Sequence, residues 1–137
     1  MKVLEKLRTE LQRFPEVRIA AAFGSVARGD ERPGSDVDVG LLMDPDSPEL
    51  RSRIEADLGR AVGREIDLAY LDAAPPLLRF EIASDGVLLV ARDRNDWVDF
   101  RAQAMIDWWD WAPTARMIND AVIRRLREKA ASPNGAP

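Results

Sequence analysis

Phe23-Gly24-Ser25 and, after ten intervening residues, Asp36-Val37-Asp38-Val39-Gly40-Leu41-Leu42 are the two pieces whose reading decides the fold. The first closes the apolar run Val17-Arg18-Ile19-Ala20-Ala21-Ala22, which has strand length, and opens polar, turn-prone sequence. That order implies a strand, a glycine turn and a short helix. Gly24 lets the backbone approach an anion with no side chain in the way, and Ser25 adds a hydroxyl where the amides of a helix start point outward. Together they make a cradle for a triphosphate. The second piece alternates with the strand period, so Asp36, Asp38 and Gly40 share one face while Val37, Val39 and Leu41 take the other. Aspartates two apart on a strand lie ~6–7 Å from each other at the backbone, near enough for their side chains to converge on a divalent cation. Without a cation they repel, and one tends to keep a proton.

A third carboxylate comes from Arg64-Glu65-Ile66-Asp67-Leu68-Ala69-Tyr70-Leu71, where Ile66, Leu68 and Tyr70 form one face and Glu65, Asp67, Ala69 and Leu71 the other. Asp67 is the candidate third ligand or base. Glu65 shares its face, but an acidic residue at a strand start is ordinarily solvated rim. Arg28 follows Ser25 by one short turn, where a cation meets phosphate oxygens or neutralises departing pyrophosphate. Arg32 lies further along the same loop, and Ser35 is a weaker phosphate contact, since a serine there also suits a plain turn. Asp-x-Asp alone and Gly-Ser alone are common in an acidic chain; the ordered combination carries the reading. No Gly-Lys-Ser or Gly-Lys-Thr follows Gly24, which excludes a P-loop.

At 137 residues the chain is read as one domain over residues 1–131 with a disordered tail over 132–137. It is short for an enzyme that carries its own acceptor-binding domain, so the second substrate is expected to arrive on another molecule. Twenty basic residues against twenty-four acidic ones give a formal charge of −4, which is no field for gripping long nucleic acid and disfavours a templated polymerase. With no cysteine and no histidine, carboxylates must do the acid–base work. The charged start Met1-Lys2-Val3-Leu4-Glu5-Lys6 is no signal peptide, and no apolar stretch approaches the ~20 residues that span a bilayer. The expected location is cytoplasmic.

Around the motif, Val3, Leu4, Leu7, Leu11 and Phe14 predict a first helix over about residues 2–13. Ser47-Pro48 reads as N-cap and first helical residue of a helix that ends near Gly63. Pro75-Pro76 opens another, expected to stop at Gly86 in the left-handed conformation before the strand Val87-Leu88-Leu89-Val90. From Asn95 the pattern is helical, with Trp97, Phe100, Ala104, Trp108 and Trp111 on one stripe, interrupted at Pro113 and resumed by Met117, Ile118, Val122 and Leu126. Core packing is the default reading of that stripe, but Trp108 and Trp109 are adjacent and diverge, so one of the tryptophans is expected to leave the core, with an interface anchor as the second reading. The basic run Arg124-Arg125-Leu126-Arg127-Glu128-Lys129 suits a helix end.

Gly24-Ser25-Val26-Ala27-Arg28-Gly29-Asp30 through Ser35-Asp36-Val37-Asp38, with Asp67 on a later strand, resembles the minimal nucleotidyltransferases of the polymerase-beta-like superfamily. Within them the chain is most similar to the MntA-type antitoxins, which are paired with HEPN ribonuclease toxins. The resemblance runs from about residue 15 to about residue 110 and includes Ala74-Pro75-Pro76-Leu77-Leu78-Arg79-Phe80 and Gly86-Val87-Leu88-Leu89. It implies an α/β (α+β) fold, a small mixed sheet flanked by helices with a helical C-terminal segment. It also implies a two-metal Mg²⁺ site on Asp36, Asp38 and Asp67, triphosphate contacts from Gly24 and Ser25, and ATP as donor. The acceptor it implies is a tyrosine hydroxyl of a cognate HEPN toxin bound in a hetero-oligomer. At Gly24, Ser25, Asp36, Asp38 and Asp67 the chain does not depart from the family pattern. Two other readings stay open: an antitoxin that neutralises by binding alone, and a nucleotidyltransferase acting on a small molecule.

Overall fold

A computed structural model describes residues 2–29 and 34–131. Arg32, in the motif loop, and the tail 132–137 lie outside the described residues. The chain runs α1 (Lys2–Leu11), β1 (Val17–Phe23), α2 (Gly24–Arg28), β2 (Val37–Met43), α3 (Pro48–Val62), β3 (Ile66–Tyr70), α4 (Pro76–Asp85), β4 (Val87–Ala91) and α5 (Arg94–Ala131). The four strands form one mixed sheet in the order β3-β2-β1-β4, with β2 and β3 parallel and the other pairs antiparallel. This is the helix-flanked mixed sheet that the sequence implies.

Strand alternation sorts the side chains into two cores. Val37, Val39 and Leu41 of β2 join Val17 and Ala20 of β1 and pack under α1 and α3, which contribute Leu7, Leu11, Ile54 and Leu58. On the opposite face Ile19 and Ala21 meet Ile82 of α4 and Trp97, Phe100 and Ala104 of α5. Burial of this kind is worth about 25 cal/mol per Å² of apolar surface removed from water. Arg92 holds the turn between α1 and β1 in place by donating to the carbonyls of Gln12, Phe14 and Val17.

The start of α3 forms as its sequence predicts: Ser47 Oγ accepts from Leu50 N at 3.1 Å, with Pro48 at the first helical position. Two local expectations are corrected. Gly86 is extended, not left-handed, and is needed because a Cβ there would collide with the carbonyl oxygen of Ile82. Pro113 does not interrupt the last helix, which runs unbroken from Arg94 to Ala131. Proline at 113 removes the amide that would bond the carbonyl of Trp109, four residues back, and the helix continues with that one bond missing.

Candidate functional site

The C-terminal end of β1 and the N-terminal ends of β2 and β3 meet at one end of the sheet, and register fixes what meets there. Phe23 pairs with Asp38 across the antiparallel β1–β2 ladder, and Asp38 pairs with Asp67 across the parallel β2–β3 ladder. Gly24 therefore follows directly beside Asp38, and Asp67 stands on its other side. Gly24 has φ +72°, and a Cβ on it would collide with Asp38 Oδ2. Glycine is required twice over at this position, by its backbone angle and by the space the carboxylate occupies.

Gly24 is also the first residue of α2, whose opening amides have no side-chain cap. These amides and the half-buried Ser25 are the anion-facing groups of the turn. Gly29, with φ +77°, ends the helix after Arg28. The cation of Arg28 is near enough to favour the charged form of Asp38.

The carboxylates are not equivalent. Asp36 precedes β2 and is exposed, Asp67 is exposed, and Asp38 between them is partly buried. Burial holds the Asp38 carboxyl above the ordinary carboxylate range, the negative charges of Asp67 and Asp36 push it further, and a hydrogen bond with Asp67 adds to both. Among the described residues no three acidic side chains are drawn close enough to form a ready metal cage; Asp38 and Asp67 make the tight pair and Asp36 stands at its rim. The donor set nonetheless fits a hard divalent ion. It is all oxygen and doubly negative at its centre, and an ion such as Mg²⁺ keeps water and phosphate oxygens in its remaining positions.

Of the candidates of the sequence reading, Gly24, Ser25, Arg28, Ser35, Asp36, Asp38 and Asp67 fall at this end of the sheet, and Ser35 takes part through its backbone as well. Its carbonyl accepts from Arg64 Nε at 2.9 Å, which ties the strand that enters the site to the start of β3. Arg64 carried no signal in the sequence. It becomes visible only once Val37 is paired with Ile66, because that register sets Arg64 across from Ser35. Also unforeseen is a pocket of about 350 Å³ bounded by Phe23, Asp67, Ala69, Ala74 and Leu78, which opens beside the carboxylates and has room for a ring. A wider groove of about 810 Å³, between α3 and the start of β3, contains none of the motif residues.

Comparison with known proteins returned a family model described as Polymerase beta, Nucleotidyltransferase, matched over residues 5–95. A comparison with curated protein sequences found no match. Among solved structures, the chain is similar to one of a toxin–antitoxin complex with AMP-PNP, at 22% identity and a TM-score of 0.75, covering 88% of this chain and 98% of that one. A second is a tri-AMPylated Shewanella oneidensis HEPN toxin in complex with MNT antitoxin, at 20% identity and a TM-score of 0.70, covering 88% and 96%. A third, described as a minimal nucleotidyltransferase, is 26% identical with a TM-score of 0.53, covering 64% and 95%.

Proposed function

Because the chain belongs to the polymerase beta nucleotidyltransferase family, we propose that its carboxylate site transfers AMP from ATP to a tyrosine hydroxyl of a cognate HEPN ribonuclease, and so acts as an antitoxin. The observation that carries this reading is the register Phe23–Asp38–Asp67, which seats an uncapped glycine turn against two carboxylates on adjacent strands. The complexes with AMP-PNP and with an AMPylated HEPN toxin support it at the level of the fold.

In this reading Gly24 and Ser25 bind the triphosphate through the amides of α2 and the serine hydroxyl, and Arg28 neutralises charge as pyrophosphate departs. Asp36, Asp38 and Asp67 would hold Mg²⁺, which when bound supplies Lewis-acid stabilisation of the phosphate and lowers the acceptor hydroxyl's pKa. Asp67, the most accessible member of the tight pair, takes the acceptor proton. The acceptor oxygen then bonds the α-phosphorus in line, the α–β bridging bond breaks, and pyrophosphate leaves. AMP on a tyrosine near a ribonuclease site would add bulk and negative charge where RNA phosphate must sit, which accounts for inactivation.

The test is incubation with Mg²⁺ and α-labelled ATP in a lysate containing the native neighbours, beside Asp38→Asn. The expected result is one labelled protein, absent with the variant. A variant that labels at the wild-type rate overturns the site assignment. Absence of any labelled protein, with ATP bound, moves the reading to a small-molecule acceptor or to neutralisation by binding alone.

A further inference from the structure

Beyond Ala112, α5 has left the body of the protein. Trp97, Phe100 and Ala104 in its first turns are buried, and Trp108 stacks on Phe80 of α4 with ring centroids 5.3 Å apart. From Pro113 onward the described side chains are exposed. Residues 114–131 form about 27 Å of free helix at 1.5 Å per residue.

That arm is patterned on the outside. Trp111, Ile118, Val122 and Leu126 fall within an arc of about 80° at 100° per residue, and the three aliphatic ones are each at least half exposed. A helix with no tertiary cover gains little from propensity alone, and an aliphatic stripe in water is a face without its partner. The spacing of seven, four and four residues is the anchor pattern of a helix laid in a groove.

Charge says what kind of groove. Between residues 114 and 131 there are five basic residues, Arg116, Arg124, Arg125, Arg127 and Lys129, against Asp120 and Glu128, while the whole chain carries −4. Arg125 and Lys129 lie on the same side of the helix as the stripe. A second copy's arm would bring the same cations face to face, so the arm is a poor partner for itself. RNA offers phosphates but nothing to cover Ile118, Val122 and Leu126, since bases stack on rings and three of the four stripe residues have none.

We infer that residues 111–129 form a docking helix whose occupant is an acidic-rimmed apolar groove on the protein that accepts the AMP. This rests on the reading above and deepens it: the carboxylate site does the chemistry, and the arm presents the acceptor protein to it. Docking remote from the reacting atoms raises the effective concentration of the acceptor without touching the ATP site.

The experiment uses the full chain and the protein that takes the AMP label. Two variants are compared with wild type, Ile118→Glu with Leu126→Glu to spoil the stripe, and Arg125→Glu with Lys129→Glu to reverse the flank. Glutamate keeps helix propensity, and circular dichroism checks that α5 persists. Each pair is expected to raise KM for the acceptor protein about tenfold or more, with kcat and the KM for ATP unchanged. The penalty of the charge reversal should shrink as salt is added, since exposed charges are screened within about 10 Å at 0.1 M. Unchanged acceptor KM in both variants overturns this inference while leaving AMP transfer intact; a wild-type chain that labels no protein overturns both. Loss in the variants of self-association, of RNA binding or of binding to anionic phospholipid vesicles, with the acceptor KM unmoved, assigns the arm to another occupant.

Discussion

On β2, Val37, Val39 and Leu41 are fully buried under α1 and α3, whereas Asp38, one residue from two of them, stands partly open at the end of the opposite face. The same seven-residue strand serves stability on one side and, at the start of the other, chemistry. The period of two permits this, because neighbouring residues share a backbone and a register but no environment. The lesson is a separation of costs. Charge that would be ruinous on the first face is tolerated on the second, where water, Arg28 and an incoming cation can reach it.

The contrast is broken most violently by moving a carboxylate across it. Val39→Asp puts a charge into a core of packed hydrocarbon side chains. A loss of about 4 kcal/mol or more is expected, a large share of the 5–15 kcal/mol that holds a domain of this size. Chemical denaturation is the check. A midpoint within a few tenths of a molar of wild type would mean that this face is less dry than its burial indicates.

A smaller break comes at the junction of the two functions. Gly24→Ala asks a left-handed backbone angle of a residue with a Cβ and drives that Cβ into Asp38 Oδ2. Strain at such a position costs about 1–3 kcal/mol, and relief requires the carboxylate to leave the place it holds between Gly24 and Asp67. Stability should therefore fall modestly while transfer falls on the order of 10²-fold, as a displacement of about 1 Å from reactive geometry can cost. An alanine variant with wild-type kcat would show that Asp38 need not sit where the glycine lets it.

How far this was legible in the sequence differs between the two ends of the chain. The alternation of Asp36-Val37-Asp38-Val39-Gly40 and of Ile66-Asp67-Leu68 was enough to place the carboxylates on one face, because period two leaves no other choice once the valines are buried. The pairing of Asp38 with Asp67 was not, since parallel register depends on how α3 returns the chain, and with it went Arg64 and the pocket between Phe23 and Leu78. At the C-terminus the periodic apolar residues foretold a helix, but local rules overstated two punctuation marks. Pro113 was read as a break although the helix runs on through it, and Gly86 was read as a left-handed stop although it is the approach of Ile82 O that demands a missing Cβ. That a tryptophan would leave the core followed from adjacency alone, and Trp109 and Trp111 both do.

The smallest expected effect on stability is the most discriminating, because its sign separates a structural aspartate from one kept for chemistry. Asp38 is held above the ordinary carboxylate range by burial and by the charges of Asp67 and Asp36, so the metal-free native state binds its proton more tightly than the unfolded chain does. Its contribution is then fully present below the unfolded pKa, near 3.9 for an ordinary aspartate, and is lost as pH rises through the raised native value. Asp38→Asn, neutral at every pH, is relieved of that loss. The variant should match wild type in acid and become the more stable of the two as pH rises toward neutrality, in Mg²⁺-free buffer, as read by melting temperature across a pH series. Adding Mg²⁺ with ATP should then reverse the order, because only the wild type gains the ligand's stabilisation through both carboxylates. A variant less stable than wild type throughout, with or without the cation, would make Asp38 a residue that builds the fold, and the division of β2 between its two faces would lose its meaning.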